Sequence, residues 1–255
     1  MIITLDIETI PTQRPDVIAD IRESKQAELD AAIAAIKVPG NYKKQETIDE
    51  WNANERPRLE KALRDEFEST VEEAYRRTGL DGAFGQVCVI GAAFNDEAPI
   101  LTYRPDWDDE AGILQDFNCL LTDRVEHKDE FNTLVIGHNV LGFDLRFLLQ
   151  RHIINNVLPH HAIRRAVTAK PWETDKVFDT MTQWAGAAAI PGGSLDKLCR
   201  ALGIKSPKDG IDGSKVWDFV RDGRIDEVAA YCGRDIEATR AAYKRMTFQD
   251  LKQAA

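Results

Sequence analysis

The sequence predicts an α/β protein, and three observations carry that prediction. Short apolar runs rich in β-branched residues recur along the chain. Charged stretches with apolar residues at helical spacing separate them. The alternation of the two indicates a sheet with helices packed on its faces. The 255 residues suffice for one large domain or two small ones, with ample material for a core. With 43% hydrophobic and 30% charged residues, the composition excludes collagen-like and disordered chains. No run approaches the roughly 18 consecutive apolar residues that a spanning helix needs.

The elements follow in order. Ile2–Glu8 is apolar and β-branched and is followed by Pro11, so it reads as a strand. From about Pro15 to Thr78 Ala, Glu, Lys and Arg dominate. Ile18, Ile21, Leu29, Ile33 and Ile36 recur at helical spacing, Pro39 and Gly40 break the pattern, and Trp51, Leu59, Leu63, Phe67 and Val71 line a second apolar face. This stretch is expected to be an insertion of two or three helices. Strands return at Gln86–Phe94 and Pro99–Tyr103, as a hairpin across Asn95, Asp96 and Glu97. Residues 108–125 read as a helix, 133–137 as a strand, 144–154 as an amphipathic helix and 176–178 as a short strand. A helix capped by Ser194 runs to Leu202, and the last long helix spans 224–245.

Charge and cysteine usage narrow the setting. The net charge of −10 argues against broad non-specific nucleic-acid binding, which usually needs a basic face. It leaves room for a nuclease, because a site that holds divalent ions must itself be acidic. Cys88, Cys119, Cys199 and Cys232 lie far apart with no C-x-x-C pair, and three sit in apolar, periodic surroundings. They read as free thiols in a reducing compartment. Asp6 stands where a signal peptide would need a long apolar stretch, so a cytoplasmic location is expected.

Three groups of residues carry the chemistry. Asp6 and Glu8 are two apart on an apolar strand and point to the same face. Two like charges ~4 Å apart repel by about 4 kcal/mol at an effective dielectric near 20. A divalent cation would remove that penalty; solvated acids at a strand end are the alternative. Asp144 follows a strand ending at Gly137 and a glycine-containing turn. That places it at a helix N-terminus beyond the strand's C-terminal edge, where open α/β sheets bind ligands, or where an acid merely caps its helix. Tyr231 and Asp235 share one face of the last helix. Ala229, Ala230, Ala238 and Ala242 would let that helix approach the sheet closely, and a hydrogen-bonded core pair is the plainer account of the two side chains.

Together, Asp-x-Glu on the first strand, Asn139-x-x-x-Phe143-Asp144 in the middle and Tyr231-x-x-x-Asp235 near the end resemble the three exonuclease motifs of the DEDD superfamily, tyrosine subgroup. The closest likeness is to the predicted 3′–5′ exonucleases related to the proofreading domain of family B DNA polymerases. Residues 176–181, 194–204 and 212–217 look like that family's connecting segments. The resemblance covers about residues 1–10 and 84–245. It implies a ribonuclease-H-like mixed sheet of about five strands with helices on both faces. It implies Asp6, Glu8, Asp144 and Asp235 as ligands to two Mg²⁺ or Mn²⁺ ions, one activating water and the other stabilising the leaving 3′ oxygen. Tyr231 would sit beside the attacking water; with a free pKa near 10 it orients that water rather than deprotonating it. Asn139 would lie close to the substrate strand. Phe143 would pack on a base or in the core, and Thr9 would meet the terminal nucleotide through its backbone.

Other residues have plainer roles. His138 is expected to be structural or at the rim, and Asp179 to cap a helix or support the site from behind. Lys205, Lys208 and Lys215 are phosphate contacts or solvated loop lysines. The activity so implied is release of nucleoside monophosphates from DNA 3′ ends, with single strands preferred. An RNA-directed exonuclease and a catalytically silent nucleic-acid-binding module are the alternatives. Between Asn41 and Arg77 ten acids oppose eight bases, so the insertion is not a basic clamp. It is expected to be a flap at the active-site edge or a surface for a protein partner.

Overall fold

A computed structural model describes residues 1–105, 107–126, 132–186, 193–207 and 210–249. Lys208 lies outside the described residues. The chain divides into two compact units, one of residues 1–10 and 80–255 and the other of residues 11–79.

The larger unit is built on a five-stranded mixed sheet in the order β3-β2-β1-β4-β5. The strands are β1 (Ile2–Ile10), β2 (Gln86–Phe94), β3 (Ile100–Tyr103), β4 (Leu134–Gly137) and β5 (Val177–Asp179). β1 is central, antiparallel to β2 and parallel to β4. The β2–β3 hairpin turns through Asn95, which holds a left-handed φ of 52° as asparagine tolerates. The paired register of β1 and β4 ends at Thr4 opposite Ile136, so β1 runs on beyond its parallel neighbour.

Alternation along β1 sorts its side chains between two cores. Ile3, Leu5 and Ile7 enter one, with Ile113, Leu114, Phe117 and Leu121 of α3 (Glu110–Arg124) and Leu145, Phe147 and Leu148 of α4 (Asp144–Ile154). On the other face, Ile10, Cys88 and Val89 pack with Val216 and Val220 of α8 (Val216–Arg221) and Val228, Cys232 and Ile236 of α9 (Ile225–Met246). Helices therefore cover both faces, as the resemblance implied. Thr4, Asp6 and Glu8 alternate with the first set and face α9.

Short helices complete the unit: α5 (His161–Ala166), α6 (Thr180–Ala185) and α7 (Leu195–Leu202). Ser194 caps α7 as expected, accepting from the Lys197 N–H at 3.4 Å. α5 and α8 had no separate sequence signal; at six residues each they span under two turns, too short for a periodic pattern.

A buried ion pair fixes α4 against α3. Arg151 grips Glu110 through Nε–Oε1 at 2.9 Å and Nη2–Oε2 at 2.6 Å, with both side chains at most 7% exposed. Glu110 Oε1 also accepts from the Val87 N–H at 2.7 Å, and Arg151 Nη1 donates to the Gly82 carbonyl at 3.2 Å. This bidentate pair is fully engaged, as burial of two charges requires.

In the smaller unit, α1 (Pro15–Ala35) and α2 (Gln45–Arg77) pack together. The Arg22 guanidinium lies 5.4 Å from the Phe67 ring centroid and pairs with Glu68. Pairs four apart, such as Arg56–Glu60 at 2.9 Å and Arg76–Glu72 at 2.6 Å, line the solvated side of α2. The Thr12 N–H donates to Thr78 Oγ1 at 2.9 Å, so the unit begins and ends at one place.

Gly91 of β2 stands opposite Asp6 in the β1–β2 register. A Cβ there would lie 2.4 Å from Ile236 Cδ1 and 2.7 Å from Cys232 Sγ, which is how closely α9 approaches the sheet. Gly91→Ala is expected to lower stability by about 1–3 kcal/mol in denaturant titration, because overpacking must push α9 outward.

Candidate active site

The site is assembled from three pieces of chain around the C-terminal half of β1. Asp6 and Glu8 project from β1 toward α9. A β-bulge falls between Glu8 and Thr9, a feature common beside active sites because it re-aims a strand. Thr9 thus sits where the strand changes course.

Asp144 arrives from the β4 side. Since β4 stops pairing at Ile136, the Ile7 N–H has no ladder partner there, and Asp144 Oδ1 accepts it at 3.1 Å. Asp144 is also the first residue of α4, where a carboxylate is favoured by the helix dipole. The turn before it is tightly specified. Asn139 adopts a left-handed φ of 62°, and its carbonyl accepts from the Phe143 N–H at 2.8 Å. A Cβ on Gly142 would meet Asn139 Oδ1 at 2.4 Å, so that side chain lies over its own turn.

Asp179, at the end of β5, clasps this turn. Its Oδ1 accepts from the N–H groups of Asn139 at 3.0 Å, Met181 at 3.0 Å and Thr182 at 3.2 Å, and its Oδ2 from Leu141 at 3.0 Å. One buried carboxylate thus caps α6 and fastens the turn that delivers Asp144, which joins the two supporting roles expected of it. His138 is similarly structural, with Nδ1 3.0 Å from Thr180 Oγ1 and Nε2 3.0 Å from the Gly193 carbonyl. Phe143 packs on Phe147, ring centroids 5.3 Å apart, against the core.

α9 supplies the third piece. Tyr231 is buried, and its hydroxyl donates to the Asp235 carboxylate one turn along. Cys232, between them, belongs to the core, yet its Sγ lies within 4.8 Å of carboxylate oxygens of Asp6 and Glu8. The motif pattern gave this thiol no role; only the packing of α9 on β1 brings it there. Of the three lysines, Lys215 pairs with Asp212 at 3.3 Å, and Lys205 lines a cavity with Pro207 and Arg234.

The electrostatics follow from crowding. Burial, then the charges of Glu8, Asp144 and Asp235, hold the Asp6 carboxyl well above its ordinary range. Burial with Asp235 and Asp144 does the same to Glu8. Asp144 is raised to about 7, chiefly by burial and opposed by its backbone hydrogen bonds. The Tyr231 phenol is pushed up by burial and by Asp235 and Glu8, so it remains protonated. The Cys232 thiol is pushed up by burial and by Asp6 and Glu8, so it too keeps its proton.

This donor set suits a hard divalent cation. It offers carboxylate oxygens rather than thiolates, and among the described residues Asp6 Oδ2 is buried with no hydrogen-bond partner. A divalent cation would satisfy that oxygen and relieve the mutual repulsion without protonating the acids.

A mixed five-stranded sheet with paired acids on its central strand and further acids from flanking helices is a ribonuclease-H-like α/β domain of the exonuclease kind. A family model described as predicted 3′–5′ exonuclease related to the exonuclease domain of PolB matches residues 106–252, and the chain belongs to that family. The match contains Asn139, Phe143, Asp144, Tyr231 and Asp235; Asp6 and Glu8 precede it and join them through the fold. A comparison with curated proteins found no match.

The raised carboxyls give a signed pH dependence. Folding without ions favours the protonated Asp144, so its contribution is complete below about pH 4 and is lost as pH rises through about 7. In EDTA, the melting temperature should fall between these limits more steeply for wild type than for Asp144→Asn. Added Mg²⁺ or Mn²⁺ should stabilise wild type strongly at pH 7.5 and weakly at pH 5.

Proposed function

We propose that this protein is a divalent-metal-dependent exonuclease of the tyrosine subgroup that removes nucleoside monophosphates from DNA 3′ ends, with single strands preferred. The observation that carries the reading is the convergence of Asp6, Glu8, Asp144 and Asp235 on one buried face with Tyr231. Those four carboxylates would hold two Mg²⁺ or Mn²⁺ ions, which supply Lewis acidity for the attacking water and the leaving 3′ oxygen.

The protein's own groups do the rest. Tyr231 keeps its proton and anchors to Asp235, so it orients water through its oxygen and does not serve as a base. Asp179 keeps the Asn139–Leu141 turn in register with β1 and thereby places Asp144. Thr9, directly after Glu8 at the bulge, is assigned to the terminal nucleotide through its backbone, and Asn139, on the turn before Asp144, to the substrate strand. Phe143 closes the core beneath them. A reducing, cytoplasmic setting belongs to the same reading, because all four cysteines are free and Cys88, Cys199 and Cys232 are buried. The helical unit is assigned to limiting which 3′ ends enter or to holding a protein partner.

The decisive experiment uses 5′-labelled single-stranded DNA with Mg²⁺, Mn²⁺ or EDTA. A metal-dependent ladder shortening from the 3′ end is expected, and Asp6→Ala or Asp235→Ala should lower the rate about a thousand-fold, the loss of several kcal/mol of charge stabilisation. Digestion of a matched oligoribonucleotide alone would transfer the assignment to RNA. No digestion of either would reject it in favour of a binding module. Tyr231→Phe should reduce kcat by about ten- to a hundred-fold and leave the alkaline limb of the pH–rate profile in place; a shifted limb would make the phenol a base. Replacing residues 11–79 by a short linker should raise activity on duplex ends relative to single strands; an unchanged ratio would separate that unit from end selection.

A further inference from the structure

Two large aromatic side chains stand in solvent, one on each side of the edge strand β5 along the chain. Trp172 is 78% exposed and Trp184 47% exposed, whereas Trp51 is buried and Trp107 and Trp217 pack edge to face, centroids 5.6 Å apart. Tryptophan carries the largest apolar surface of any side chain, and leaving two of them open costs hydrophobic stabilisation unless something covers them.

The two belong to one patch. Gln183 Nε2 donates to the Pro171 carbonyl at 3.0 Å, so α6 is laced to the segment before β5 at the residues that immediately precede Trp184 and Trp172. The patch is also fastened to the candidate active site. Thr180, the first residue of α6, meets His138, and Asp179 beside it clasps the Asn139–Leu141 turn. Trp184 therefore lies four residues, about 6 Å of helix rise, from a contact with the turn that delivers Asp144.

Charge selects the occupant. The whole chain carries −10, yet from Arg164 to Trp184 four cations, Arg164, Arg165, Lys170 and Lys176, oppose Glu173, Asp175 and the buried Asp179. With Lys176 paired to Glu173, the exposed Arg164 and Lys170 help leave this stretch net positive by one in an acidic protein, a sign that favours a polyanion there. Exposed aromatic rings among basic residues are the arrangement on which single-stranded bases stack without regard to sequence, whereas paired bases present no free face to them.

We propose that Trp172 and Trp184 form a stacking platform for the single strand whose 3′ end enters the carboxylate site. The proposal rests on the exonuclease reading for the identity of the strand. It supplies a source of preference for single strands within the larger unit, in addition to any exclusion by residues 11–79.

The test separates binding from hydrolysis. Affinity for a labelled oligodeoxynucleotide, measured by fluorescence anisotropy in EDTA, should weaken about ten-fold for each tryptophan replaced by alanine, and the double variant should melt at the wild-type temperature because both rings are exposed. Trp172→Phe and Trp184→Phe should restore most of the affinity. In Mg²⁺, the double alanine variant should raise KM for the oligonucleotide and lower kcat/KM far less for a dinucleotide, which covers less of the path to the rings. Equal oligonucleotide affinity in wild type and double variant, absence of binding by wild type, or an equal loss on the dinucleotide would each overturn the platform. Binding that depends on the tryptophans without hydrolysis by wild type would instead overturn the exonuclease reading and leave the platform standing.

Discussion

Mutual repulsion among Asp6, Glu8, Asp144 and Asp235 is the constraint that the surrounding structure must withstand. Each carboxylate would be more comfortable in water, and burial strengthens the penalty of keeping them together. The fold holds them by attaching them to three rigid elements. β1 carries two in the centre of the sheet, α4 carries one at its first residue, and α9 carries one on a face buried against β1 and β2. Separation of any one from the others would require an element to leave its core.

The supports reinforce that arrangement at several depths. The Arg151–Glu110 pair ties α4 to α3 and β2. Asp179 ties the turn before α4 to α6. Gly91 lets α9 come close enough to bring Asp235 alongside Asp6. Asp179 and Glu110 are acids held by donors, whereas Asp6 retains an oxygen with none among the described residues. Asp6 is thus the acid whose unsatisfied oxygen would suit a cation.

Much of this was legible in the sequence because its signals are periodic. The two-residue spacing of Asp6 and Glu8 and the four-residue spacing of Tyr231 and Asp235 state a shared face directly, and the bounds of β2 and α4 follow from apolar runs that end at turn residues. What stayed hidden depends on geometry with no period. Asp179 looks like one more helix cap, since its acceptance of Asn139 and Leu141 from a distant turn arises only when β4 and β5 pair. Cys232 reads as a core thiol until α9 is laid on β1. Trp172 and Trp184 are indistinguishable from core tryptophans in composition, and only their exposure separates them from Trp51. The motif acids were found for the same reason that their neighbours were missed: chemistry leaves a local signature, whereas support is distributed.

The hydrogen bond between Thr12 and Thr78 bears on how this chain folds in time. β1 and β2 are adjacent in the sheet, with Ile10 opposite Gln86, but a long excursion separates them along the chain. Closing so large a loop before any reward would be entropically slow. Helices form in microseconds or less from local contacts, and α1 packed on α2 returns the chain to its point of departure. Once that pair has formed, β1 and β2 meet as the arms of a short hairpin, and their effective separation is a few residues. A helical unit that forms first would therefore shorten the effective loop that the central strand pair must close to set Asp6 and Glu8 in place.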